Sequence, residues 1–221
     1  MRQKKSTFIK SIVLFLFLMP SLASATIIFT QNFDPSLSGA NGSSDFGSNN
    51  QKADNFSFSG TDQTLGAISW LGIYHGNSIP SADDFTLRIF PNNSGLPQTT
   101  GAILDLNIGS NVNRIDTLTN LGSSDLFSYK AYLPAGINLT AGTTYWLSIV
   151  NNVGSSTFDD WAWAASSTGG AAAYRSSDTQ AWNSGSGTFQ FELTAVPLPA
   201  GFWLMASGLL SLISFRKKEK V

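Results

Sequence analysis

The 221-residue chain has no cysteine, one histidine and few charges, with Asp, Glu, Lys and Arg together making up 12 % of it. Without thiols there is no disulfide, no thiolate metal site and no cysteine nucleophile. His75 is the sole imidazole, so a Ser-His-Asp triad would need a serine beside it. No Gly-x-Ser-x-Gly elbow occurs to present one. Gly-x-Gly-x-x-Gly and Walker loops are also missing, which leaves nucleotide chemistry unsupported. Glu192 is the only glutamate in 26–195, so a glycosidase acid and base would have to be drawn largely from Asp. Cations are scarce in that segment too: Lys52, Arg88, Arg114, Lys130 and Arg175 stand against 13 acids, a net charge of −8. Such a segment cannot build the basic face that duplex nucleic acid requires, and no nucleic-acid partner is expected.

The basic residues are concentrated at the two ends instead, where each end has the pattern of an address. Residues 1–25 run from Arg2, Lys4, Lys5 and Lys10 through an apolar stretch, Ile12 to Met19, to Pro20 and then Ala23-Ser24-Ala25. This predicts a secretory signal peptide cut by signal peptidase, with Ala23 and Ala25 at the small-x-small positions and Thr26 beginning the mature chain. A retained anchor is the competing reading, but an eight-residue apolar run falls far short of the ~20 needed to span a bilayer. At the other end, 196–221, the segment Val196-Pro197-Leu198-Pro199-Ala200 precedes an uncharged stretch from Gly201 to Phe215 and then Arg216-Lys217-Lys218. Fifteen residues reach about 22 Å as a helix, and snorkelling basic side chains narrow the gap to a ~30 Å hydrocarbon core. A short transmembrane helix over 201–215 is therefore expected, with the basic tail 216–221 as a stop held on the cytoplasmic side. A core helix is the alternative, but nothing about a core explains the abrupt Arg/Lys cluster that follows.

A Pro-containing motif, a brief apolar helix and a terminal basic cluster, in that order, resemble the PEP-CTERM sorting signal of exopolysaccharide-producing Gram-negative bacteria. Leu198 stands where the best-known form has Glu, giving the Val-Pro-Leu-Pro-Ala variant. The resemblance implies recognition by an exosortase, a transient stay in the inner membrane, cleavage near Val196 to Ala200, and delivery to the cell surface or extracellular matrix. The order Ala53-Asp54-Asn55-Phe56, Ile68-Ser69-Trp70-Leu71-Gly72, Asp84 to Phe90, Gly95-Leu96-Pro97, Ala141 to Ile149 and Trp161-Ala162-Trp163 is similar to the ectodomain of many PEP-CTERM proteins. That similarity implies a sandwich and names no ligand.

Between the addresses, helical periodicity is nearly absent and short alternating or apolar runs recur between Gly, Asn, Ser and Pro clusters. Strands are expected at 53–59, 65–74, 85–90, 102–108, 126–133, 145–150, 158–164 and 189–194, with weaker ones at 27–29 and 172–175. Phe85, Leu87 and Ile89 share one face by the two-residue period, as do Tyr145, Leu147 and Ile149. With no helix long enough for a parallel crossover, this predicts an all-β domain over 26–195: an antiparallel β-sandwich, jelly-roll-like. The polar run Ser36 to Asn50 reads as a long loop or mobile arm. Leu133-Pro134-Ala135-Gly136 reads as a turn.

Trp161 and Trp163 lie two apart in an expected strand and so project from one face, about 6.6–6.8 Å apart. That spacing suits two sugar subsites, because apolar sugar faces stack on flat rings; it suits the filling of a core as well. Trp182, in a loop-like stretch, is the third candidate glycan platform. The acid pairs Asp83-Asp84 and Asp159-Asp160, with Asp45, Asp54 and nearby Asn, are candidate oxygen ligands for a structural Ca²⁺, although nothing matches an EF-hand. Solvated or capping acids are the competing reading. No other metal or cofactor is expected, and no catalytic residue is assigned. Three functions compete: a non-catalytic exported surface or matrix protein associated with exopolysaccharide, a carbohydrate-binding module using exposed Trp, and a secreted glycoside hydrolase.

Overall fold

The computed structural model describes residues 25–37, 42–77, 79–153 and 160–196. The signal segment through Ser24, the sorting residues Pro197 to Ala200, the 201–215 stretch and the basic stop Arg216, Lys217 and Lys218 lie outside the described residues. So does Asp159. Fourteen strands occur among the described residues: β1 (Ile27–Gln31), β2 (Gly42–Ser43), β3 (Gln51–Phe56), β4 (Gln63–Tyr74), β5 (Phe85–Asn93), β6 (Leu96–Pro97), β7 (Leu104–Gly109), β8 (Asn113–Leu121), β9 (Ser124–Leu139), β10 (Tyr145–Asn151), β11 (Trp161–Trp163), β12 (Ala172–Arg175), β13 (Asn183–Ser184) and β14 (Phe191–Ala195). Only two single 3-10 turns, Pro35–Leu37 and His75–Asn77, interrupt them. None of the described helices is long and apolar enough to cross a membrane.

The strands form two seven-stranded sheets, all paired antiparallel. In the first sheet β4 is the spine. Along one edge β14 and then β11 follow each other, and along the other lies β9; β1, β2 and β8 extend β14, β11 and β9 respectively. The second sheet runs β13-β12-β3-β10-β5, with β7 beside β5 and β6 folded back on its end. That hairpin turns at Ser94 (φ 53°) and Gly95 (φ 88°), the mirror-image turn whose twist matches that of the strands.

Period-two patterning places the core between the sheets. Trp70, Tyr74, Tyr129, Trp161, Trp163 and Phe191 from the first meet Phe56, Phe85, Leu87, Ile89, Leu147 and Ile149 from the second. Phe85 sits edge-on to Trp70 (5.3 Å), Tyr129 (5.1 Å) and Trp161 (5.1 Å), so aromatic contact takes the bracing role that disulfides play elsewhere. Each such pair contributes about 0.5–1.5 kcal/mol beyond the area it buries. The outer side of the second sheet is covered as well, by a smaller cluster of Ala53, Phe90, Trp146, Ala173 and Trp182. Every residue of β10 is consequently buried.

Two expectations are corrected. The run 36–50 is no free arm where it is described: β2 pairs with β11, the Ser44 hydroxyl donates to the Ile149 carbonyl, and Ser44 and Asp45 are buried. Leu133 to Gly136 do not end a strand; β9 continues to Leu139, and they bulge out where its register on β4 skips from Tyr132 to Ile137. One compact unit spans Thr26–Val196. Its two ends are adjacent: the Ala195 N–H donates to the Thr26 carbonyl at 2.8 Å, and the Val196 N–H to that of Thr64 at 2.8 Å.

Candidate functional site

The tryptophans expected as a sugar platform are core residues. Trp161 and Trp163 are both 0 % exposed. The Trp161 ring lies over Gly72 and against Phe85, while Trp163 stacks on Phe189 at 5.0 Å and donates its indole N–H to the Gln190 carbonyl. Their shared face is the one turned toward the second sheet, which leaves no ring surface for a ligand. Trp182 is buried too, on the outside of the second sheet. It packs edge-on to Phe90, and the Arg175 guanidinium lies 4.4 Å from its ring centre. Arg175 is fixed by Gln51 Oε1 at 2.7 Å and Asp178 Oδ1 at 2.9 Å, so Trp182 is a clamp that holds the 176–182 segment over the sheet.

The Asp83-Asp84 pair does not act as a unit. Asp83 turns inward, where its Oδ1 accepts from the Tyr74 hydroxyl at 2.7 Å and from Arg114 Nη1 at 3.1 Å. Asp84 accepts from Asn152 Nδ2 at 3.1 Å. Adjacent positions in extended chain face opposite ways, and an arginine already holds the charge of Asp83. No group of three or more His, Asp or Glu that could hold a metal gathers among the described residues. Two other acids are buried. Asp45 accepts from the backbone N–H of Gly47, Ser48 and Trp161, and burial pushes its carboxyl up to about 6. Asp54, on β3, accepts from the Phe189 N–H and from the Gln31 amide, leaves its Oδ1 unpartnered, and is pushed by burial to about 7. His75 is exposed in the turn after β4, the ordinary place for a strand-end histidine.

A position open to a ligand lies elsewhere. On β12, Ala172 belongs to the core, and Tyr174, two residues on, continues the same face beyond it. Tyr174 pairs with Lys52 of β3 on one side and Asn183 of β13 on the other. It is 42 % exposed. With Asn50, Lys52, Ser184, Gly185 and Ser186 it lines an open cleft of about 510 Å³, within the range of small-ligand sites. Lys52 Nζ stands 5.1 Å from the Tyr174 ring centre, and partial burial lowers the pKa of this ammonium below the usual lysine value. The backbone beneath is locked: the Lys52 N–H donates to Ser44 Oγ at 3.0 Å, its carbonyl accepts from Ser148 Oγ at 2.7 Å, and the Gly185 N–H donates to the Ala172 carbonyl at 2.8 Å. An aromatic ring with an ammonium over it and amide and hydroxyl groups about it, on a rigid floor, can stack an apolar ring face and bond the hydroxyls around it.

Sequence reasoning passed over Tyr174 because it stood in a weak strand with no aromatic neighbour. The only signal was its parity with Ala172, and its partner Lys52 is 122 residues away. Compared with protein-family models and with curated proteins, the chain matches none.

Proposed function

We propose that this chain is a non-catalytic exported protein of a Gram-negative cell surface or extracellular matrix. In this reading signal peptidase removes 1–25, the 201–215 helix stalls transiently in the inner membrane, and an exosortase cuts near Val196 to Ala200. The domain, a jelly-roll-like sandwich, then associates with exopolysaccharide. The observation that carries the reading is where the β-structured unit stops. Its limits, Thr26 and Val196, fall where the two address patterns of the sequence end and begin. The sequence Pro197-Leu198-Pro199 disfavours a helix, which suits a protease that binds its substrate as a strand. The jelly-roll reading draws on nested pairings, β3 with β10 and β4 with β9, as in a long hairpin rolled into two layers. The non-catalytic reading draws on Asp45 and Asp54, whose carboxylates are engaged by backbone N–H groups.

Neutralising Arg216, Lys217 and Lys218 together is expected to abolish membrane retention and processing, followed by cell fractionation. Replacing Pro197 and Pro199 by Ala is expected to raise the mature mass seen by mass spectrometry. Unchanged sorting and mass in both variants would overturn the reading. A carbohydrate-binding role for the domain is supported by a separate observation, the Tyr174 cleft, in place of the buried tryptophans.

A further inference from the structure

We propose that the Tyr174 cleft selects acidic sugars, with Tyr174 stacking the sugar ring and Lys52 pairing with its carboxylate. The inference rests on the carbohydrate-binding reading of that cleft and specifies the ligand class.

Of the five cations in 26–195, Arg88 is bound to Asp105 and Asp178, Arg114 to Asp83, and Arg175 to Asp178. The two lysines each stand over an exposed tyrosine, Lys52 over Tyr174 and Lys130 over Tyr132. Lys130 lies on the open outer face of the first sheet, where its register partners are Ser69 and Asn113. Lys52 sits in a cleft, half-buried, without an acid among the cleft-lining residues and without an ion pair among the described ones. A partly desolvated ammonium beside an aromatic ring gains most from an anion that displaces its remaining water. The two groups are supplied by adjacent strands at one register position, so their spacing is fixed by the sheet. A hexuronate matches them: its ring carbons present an apolar face, and its carboxylate projects from the ring edge. Asn50, Ser184 and Ser186 remain for its hydroxyls. The domain's net −8 does not forbid this, because charges more than about 8 Å away are screened at physiological salt and the cleft itself carries only Lys52.

The test is calorimetric titration of the full chain, kept in a sugar-free zwitterionic detergent at 0.15 M salt, with galacturonate oligomers and with the same oligomers carboxyl-reduced to galactose. The acidic oligomer is expected to bind at least about tenfold more tightly than the reduced one. Lys52→Gln should bring the two affinities together, Tyr174→Ala should remove both, and Lys130→Gln should change neither; near-UV circular dichroism checks that each variant is folded. Equal affinity for the two oligomers, lost in Tyr174→Ala, would overturn acid selection and leave the carbohydrate reading standing. Acid preference that survives Lys52→Gln would also overturn it. No binding of either oligomer to the wild-type chain would sink both.

Discussion

Asp54 is buried without a cation, and its folded-state pKa of about 7 lies well above the ordinary carboxylate value. The folded protein therefore holds a proton at pH values where the unfolded chain has released it. Stability from this group is full below about pH 4 and is lost as pH rises through 7. Asp45, raised to about 6, acts with the same sign. The melting temperature is expected to be higher at pH 5 than at pH 8, and Asp54→Asn should flatten most of that slope in a thermal-denaturation series. A second prediction concerns Gly72, where an added Cβ would collide with the Trp161 ring. Gly72→Ala must push the indole into Phe85 and Tyr129, and is expected to cost about 1–3 kcal/mol in urea unfolding.

At the scale of elements, β8 depends most on a single side chain. It pairs only with β9, and its ladder is interrupted between Asp116 and Asn120. Arg114 ties it inward through Asp83 and the Pro80 carbonyl, with its guanidinium 5.4 Å from the Phe127 ring centre. Arg114→Ala strands the Asp83 carboxylate beside the Tyr74 hydroxyl alone. A loss of about 1.5–3 kcal/mol is expected, with faster amide exchange in β8 and unchanged exchange across β3 and β10. β8 is also the longest of the strands that escaped the sequence reading, the others being the two-residue β2, β6 and β13. Asn113 to Leu121 is largely polar and exposed on both faces, as an edge strand can be, so neither alternation nor an apolar run marks it. β4, β5 and β10 were legible because one or both faces are buried. The expected strand 53–59 stands at Gln51–Phe56, because its ladder runs from Arg175↔Gln51 to Tyr145↔Phe56; Phe158 and Asp159 of the expected 158–164 lie outside the described residues. Period two gives the face that Trp161 and Trp163 share but not which side the other sheet covers. Core and platform thus looked alike until the layers were placed.

For the molecule as a whole, the absence of cysteine leaves stability to apolar packing on three levels, aromatic between the sheets and outside the second, aliphatic outside the first. The chain enters at Thr26 and leaves at Val196 beside the Leu65 end of β4. Nine residues on, at about 3.4 Å each, β4 reaches Tyr74 some 30 Å away. There Trp161 pairs with Tyr74, the Trp161 carbonyl accepts from the Ser44 N–H, and the Ser44 hydroxyl holds Lys52. The cleft is therefore at the end of the sandwich away from Thr26 and Val196. In the exported reading proposed above, a domain held by its Val196 end would present the cleft away from that hold, and many such copies would meet a repeating polymer at many points at once. Weak single contacts then add through effective concentration, and grip would depend on how densely the copies stand.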